Sequence, residues 1–403
     1  MVRTSLGIGI VGWGGIARVH TLALRSLPVL FPSLPFDIHL EAVATRDPQG
    51  KGEEARRAGF ARVLVDPRDL AADEGVDVVD ICTPNALHPA AAVPAWERGK
   101  ALYIEKPLAD GLKPARGMYE VWRASAGAGG EGGREGGRPD QVALVLRFLP
   151  AVARARDLLE AGALGPVLTF RARMVHGGYL NPQRPMSWRL DRALSGGGAL
   201  ADLGVHMIDL VQFLLGGIAE VQARTRTFVA ERPAAPGSAR LVPVDVDDWA
   251  EVRCSLASGA VGTIEASRVG DGLEETTLEI FGRDGSLLIS GDKPEFPRWF
   301  DRRGAELHPA TTSADGPFTH AALSVWPPAK LSLGWFVNAH AASLTWFLQN
   351  VQAARTSGQG PGRSAQARGL TPDLPAALRA QAVLEAAYES AHGGAPAAVE
   401  PVL

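Results

Sequence analysis

Gly9-Ile10-Val11-Gly12-Trp13-Gly14-Gly15-Ile16-Ala17 decides the fold of this chain. The run Leu6 to Val11 that leads into it is short and apolar, as a buried strand is. After it, Ile16, Val19, Leu22 and Ala23 recur at helical spacing. A strand that turns through glycines into a helix opens a βαβ unit. The subset Gly12-x-Gly14-x-x-Ala17 fits the dinucleotide fingerprint: Gly12 permits the tight turn, Gly14 lets the backbone approach a pyrophosphate, and small Ala17 lets the helix pack close to the sheet. Amides at the helix N-terminus then face the phosphates. Gly12, Trp13, Gly14, Gly15 and Ile16 are therefore expected to bind a dinucleotide.

Outward from this loop the pattern keeps alternating. Leu40 to Thr45, Val76 to Ile81 and Leu102 to Glu105 are short strand candidates, with helical stretches at Gly50 to Ala58, His88 to Arg98 and Pro114 to Ala124. Strands separated by helices require crossovers, hence a parallel, doubly wound sheet. Ser125 to Pro139 holds seven glycines in fifteen residues and too little apolar surface to offset its ordering entropy, so it reads as a surface loop. Gln141 to Phe148 reads as a strand and Pro150 to Ala161 as a helix.

The pattern then changes. Strand-like runs at Val167 to Val175, Val221 to Val229, Trp249 to Leu256, Ala260 to Arg268, Thr276 to Phe281 and Ser286 to Ile289 are joined in places by short glycine turns. Such hairpins point to a mostly antiparallel sheet. Helices at Ala199 to Leu215, Phe336 to Ala354 and Pro375 to His392 would cover one face. The loops Pro233 to Pro243, Leu307 to Pro328 and Ser357 to Pro372 are left irregular. The division is an α/β dinucleotide-binding domain over 1–148 and a second α/β domain with a large open sheet over 149–403.

Composition removes other classes. The 403 residues carry 41 Lys+Arg against 44 Asp+Glu, a formal charge of −3, so no excess of either sign suggests a nucleic-acid partner or an acidic tail. Cys82 and Cys254 cannot build a disulfide framework, and no metal-ligand spacing is seen. No run of about 18 apolar residues suggests a membrane partner. The glycine-broken run Leu6 to Ile16 lacks a preceding basic segment and cleavage site, so a cytoplasmic protein is expected.

The second strand bears on the cofactor. It ends Val43-Ala44-Thr45-Arg46-Asp47, with Thr45 where an acid would bind the ribose of NAD. Thr45 and Arg46 together suit a 2′-phosphate, which favours NADP; Asp47 acting as the acid would favour NAD.

Two further segments carry chemistry. Glu105-Lys106-Pro107 ends a buried strand at the carboxyl edge of the sheet, where a lysine can stabilise an alkoxide or move a proton. Asp202 and His206 lie four apart in Gly196-Gly197-Gly198-Ala199-Leu200-Ala201-Asp202-Leu203-Gly204-Val205-His206, so a helix would put them on one face as an oriented general base.

These blocks, with Thr83-Pro84-Asn85 and His88, stand in an order that resembles the Gfo/Idh/MocA oxidoreductase family. The resemblance implies Lys106 as the catalytic lysine, and Asp202 and His206 as the pair at the substrate carbinol. It also implies that Thr83, Pro84, Asn85, His88 and Glu105 line the nicotinamide and ribose. The implied substrate is a sugar, polyol or derivative, oxidised by NAD or NADP, and the implied assembly is a homodimer or homotetramer through the second domain's sheet. Arg147, Tyr179, Trp188 and Arg189 come from segments that would frame the substrate. A nicotinamide-dependent glycosidase and a dinucleotide-sensing protein are the alternatives on the same scaffold.

Overall fold

A computed structural model of the chain describes residues 4–125, 139–307, 315–357 and 369–402. The glycine-rich stretch lies almost wholly outside them, as do parts of the two later loops. Leu6, Ile8 and Ile10 are buried on the first strand, β1 (Thr4–Val11). Among the described residues β1 belongs to a six-stranded sheet with β2 (Phe36–Ala44), β3 (Arg62–Leu64), β4 (Val78–Ile81), β5 (Ala101–Ile104) and β6 (Gln141–Val142). All neighbours pair parallel in the order β3-β2-β1-β4-β5-β6. This is the Rossmann order, and the strand order reverses beside β1, where α/β sheets bind ligands.

The strand expected over Gln141 to Phe148 is corrected. Only Gln141–Val142 pair in the sheet, and Val145–Phe148 form a 3-10 turn. Every residue of that turn is buried, and an apolar run reads alike for a strand and a buried turn.

The division of the chain also differs from the linear one. One compact unit comprises Met1–Leu108, Lys113–Phe148 and Ala322–Pro375; the other comprises Ala109–Leu112, Leu149–Ala321 and Ala376–Leu403. The long helix Trp335–Ser357 packs in the first unit, against the helix Gly15–Leu30. Phe347 meets Tyr103, and Trp346 meets Phe148. Helical periodicity shows that such a face is buried but not what buries it.

In the second unit, nine described strands form one sheet. They are β7 (Val167–Val175), β8 (Ile218–Arg226), β11 (Trp249–Leu256), β12 (Val261–Ser267), β13 (Glu275–Gly282), β14 (Gly285–Ser290), β15 (Arg298–Asp301), β16 (Glu306–Leu307) and β17 (Ala397–Ala398), in the order β16-β15-β14-β13-β7-β12-β11-β8-β17. Only β7 and β12 among them pair parallel; the other ladders are antiparallel. Inside the loop expected over Pro233 to Pro243, the ends pair as a small ribbon of β9 (Glu231–Pro233) and β10 (Leu241–Pro243).

The segment Arg192–Leu215 is long and apolar enough by composition to cross a membrane, yet 83% of its most apolar window is buried in the protein. It is a core helix. It opens with the short α-helix Arg192–Ser195, which ends at left-handed Gly196; Leu200–Gly204 is then a π-helical turn, and Val205–Leu215 continues as α-helix.

Candidate active site

Gly12 leaves β1 with φ of +90°, and a Cβ there would lie 2.9 Å from the Cys82 carbonyl oxygen at the end of β4. Only glycine fits both demands. At Gly14 and Gly15 a Cβ would meet nothing within 4 Å. These two glycines thus leave open space at the N-terminus of helix Gly15–Leu30, whose first turn holds no acidic residue and whose cap makes no side-chain hydrogen bond. Uncapped amides beside open space suit a phosphate. Beside Gly12, Thr83 Oγ1 is buried with no hydrogen-bond partner, a second polar group suited to a ligand. The loop therefore fits a dinucleotide through its backbone.

Side chains expected around this loop divide sharply. Ile16 packs partly buried against the apolar core, and Trp13 belongs to that core, edge-on to Phe60 at 5.6 Å. His88 is fully buried, with Nδ1 3.2 Å from the Leu108 carbonyl and Nε2 3.1 Å from that of Thr83. Burial lowers its pKa against the pull of those carbonyls, so the ring is neutral and ties two loops together. The ring acts as a structural clamp between the Thr83 and Leu108 carbonyls. Pro84 is half-buried and Asn85 buried, starting the 3-10 turn Asn85–Leu87.

Glu105 also turns inward. Its Oε1 lies 3.2 Å from Nε2 of His20, whose Nδ1 faces Asp80 Oδ2 at 2.9 Å. Burial pushes the Glu105 carboxyl up, but the hydrogen bond and charge of His20, with Lys106 and His340, bring it down to about 2. The carboxylate is ionised and buried beside His20. Lys106 follows, half-buried, at the end of the same strand.

At the end of β2, Thr45 is buried and Arg46 exposed. Asp47 accepts the Gly50 amide at 2.8 Å and that of Lys51 at 3.2 Å, which holds its carboxyl below the usual range. It caps the helix Lys51–Arg57.

In the second unit, the three glycines before Asp202 are explained by crowding. A Cβ at Gly196 would meet the Asp110 backbone, at Gly197 the Tyr388 hydroxyl, and at Gly198 the Asp247 backbone. Asp247 accepts the amides of Gly198 at 2.9 Å and Leu200 at 2.8 Å, while Tyr388 donates to it at 2.8 Å. This fixes the start of the π-turn carrying Asp202. One turn on, His206 is buried. π-turns of this kind occur frequently at functional sites.

Arg268 is the residue that motif reading missed. It is buried, and its Nη2 lies 3.2 Å from Asp202 Oδ2, with Arg189 Nε at 3.7 Å from the same oxygen. The Arg268 guanidinium stands over the Tyr179 ring at 4.9 Å, and Arg189 stacks on Trp188 at 4.5 Å. Tyr179, Trp188 and Arg189 are thereby gathered around Asp202. Arg147 is not: it is buried in the first unit, donating to the carbonyls of Gly369 and Thr371. A lone arginine after a strand carries no signal that would have placed Arg268.

A family model described as an oxidoreductase family with an NAD-binding Rossmann fold matches residues 6–127, and the GFO/IDH/MocA C-terminal domain matches 152–288. The chain belongs to the Gfo/Idh/MocA oxidoreductase family. It is 33% identical to levoglucosan dehydrogenase of Pseudarthrobacter phenanthrenivorans over 82% of this chain and 85% of that one. It is 28% identical to the NAD-dependent scyllo-inositol 2-dehydrogenase of Bacillus subtilis, over 61% of this chain and 65% of that one. A solved levoglucosan dehydrogenase in complex with NADH superposes with a TM-score of 0.82 at 28% identity, covering 98% of this chain and 100% of that one. This oxidoreductase transfers a hydride between a nicotinamide cofactor and a secondary alcohol or carbonyl of the sugar or polyol class.

Proposed function

We propose that the chain is a dehydrogenase for a ring secondary alcohol of a cyclic sugar, in which Lys106, Asp202 and His206 carry the reaction. When bound, the nicotinamide supplies the hydride acceptor. His206 takes the hydroxyl proton as the carbinol C–H bond breaks, and Lys106 stabilises the oxygen as it becomes an alkoxide. Asp202, gripped by Arg268 and Arg189, orients rather than accepts: its carboxylate already has cationic partners. The observation carrying this reading is the gathering of Arg268, Arg189 and Tyr179 around Asp202, one turn before His206.

NADP is the cofactor this reading favours. Its support is that Asp47 is engaged as a helix cap while Arg46 stands exposed at the strand end. The protein acts in the cytoplasm as a homo-oligomer joined through the nine-stranded sheet. Exposed Val261 lies on the same sheet face as the ion pair of Arg173 and Glu265, which supports that face as the joining surface.

The test is to follow reduced-nicotinamide absorbance with levoglucosan, inositols and pyranoses, adding NAD and NADP separately. Turnover with a cyclic sugar, with a lower KM for NADP, is the expected result. Glycoside cleavage without net nicotinamide reduction would contradict it.

A further inference from the structure

Three ionisable side chains stand in a row inside the first unit, where apolar groups of similar volume would pack with less desolvation. Asp80 ends β4, His20 lies on the helix Gly15–Leu30, and Glu105 follows β5. His20 and Asp80 are at most 1% exposed and Glu105 only 7%. His20 offers Nδ1 to Asp80 Oδ1 and Oδ2 at 3.1 and 2.9 Å, and its Nε2 stands 3.2 Å from Glu105 Oε1 as an ion-pair contact outside hydrogen-bond geometry. With a carboxylate oxygen against each nitrogen, the ring is favoured as an imidazolium.

We propose that this Asp80–His20–Glu105 column is a positioning device for Lys106, whose backbone it anchors from beneath. The inference rests on Lys106 being catalytic. The Glu105 amide extends the parallel ladder by donating to the Ile81 carbonyl at 3.0 Å, so both ends of the Glu105 residue are held. The peptide from which Lys106 departs is then fixed through the Glu105 backbone and side chain. Charge supports the arrangement: two carboxylates face one imidazolium, and Lys106, whose ammonium acts on Glu105, closes the balance.

The remaining groups facing His20 are Cys82, with Sγ 3.4 Å away, Tyr103 at 5.4 Å between rings and His340 at 5.0 Å between rings. Burial pushes the Cys82 thiol and the Tyr103 hydroxyl up, so both are neutral. Burial would also discharge His20, but Asp80 and then Cys82 hold it well above its ordinary value.

Asp80→Asn tests the column, because Asp80 touches neither substrate nor cofactor in this account. Its loss leaves Glu105 as the single carboxylate holding the His20 proton, so the ring discharges at lower pH. The expected result is dinucleotide affinity and KM close to wild type, with kcat falling about ten- to hundred-fold between neutral and alkaline pH through a new titration. A kcat profile parallel to wild type at every pH, merely scaled, would reduce the column to packing. Should Asp80→Asn fail to fold, histidine-selective 15N NMR of the wild-type chain, with His20→Gln for assignment, decides instead. Both His20 ring nitrogens are expected to carry protons at pH 8; one bare nitrogen overturns the proposal. Loss of kcat on chelation with recovery on adding zinc would also overturn it, since His20, Glu105 and His340 would then be metal ligands. The NMR reading needs no turnover, so its failure is separable from failure of the enzymatic assignment.

Discussion

Arg268 Nη2 lies 3.2 Å from Asp202 Oδ2, which makes a buried arginine from β12's end the partner of the acid in the most specific motif of the chain. Burial works against the guanidinium, and Asp202 together with Tyr179, Asp247 and Tyr388 outweighs it, so the Arg268 pKa is raised. Arg268→Met should therefore cut kcat by about ten- to a hundredfold while leaving dinucleotide affinity unchanged. The stability loss should stay below the ~3–5 kcal/mol of a fully buried broken pair, since Asp202 keeps Arg189 and is partly exposed. Steady-state kinetics with urea unfolding checks both; unchanged kcat would detach Asp202 from the reaction.

The glycine loop separates a fold requirement from a binding requirement. Gly12→Ala forces a side chain into positive φ and against the Cys82 carbonyl, which should cost roughly 1–3 kcal/mol and disturb binding as well. Gly14→Ala meets nothing within 4 Å and should leave thermal stability near wild type while weakening dinucleotide binding. Melting curves and cofactor titrations compare the two. Equal destabilisation by both would contradict the open cradle.

Cofactor choice is set at the end of β2. Arg46→Ala should raise the KM for NADP by about ten-fold, the worth of one charge-assisted contact, and leave that for NAD nearly unchanged. An equal change for both cofactors would remove Arg46 from the 2′-phosphate.

Two buried histidines should bend the stability profile in opposite senses. The His20 pKa is raised in the fold, so its stabilisation is complete below the unfolded value of about 6.5 and is lost as pH rises through the folded value. The His88 pKa is lowered, so the unfolded chain takes up the proton first and stability declines as pH falls below about 6.5. Urea midpoints at several pH values should show His20→Gln flattening the alkaline decline and His88→Gln the acid one. Unchanged slopes would mean that these rings do not titrate as their surroundings require.

The first-unit sheet and the glycine loop are legible in the sequence because each rests on local pattern. Gly12 needs its positive φ wherever the chain goes. What stayed hidden depends on partners far along the chain. Glu105 and His88 sit in motif positions, but His20 and the Leu108 carbonyl decide which way they face. Trp13 stands inside the fingerprint and is claimed by Phe60. Arg268 and Tyr388 act through contacts to Asp202 and Asp247 that no periodicity encodes. A spacing of four puts Asp202 and His206 on one face of an α-helix, whereas the turn at Leu200–Gly204 is π-helical, held at its start by Asp247 on the Gly198 and Leu200 amides.

Lys106 is assigned here to the reaction rather than to the fold or the cofactor. Turnover of wild type and Lys106→Met should be compared on one cyclic-sugar substrate, with dinucleotide binding measured on both. Cofactor affinity should be unchanged and kcat lowered by about a thousandfold. Turnover within a few-fold of wild type would contradict that assignment.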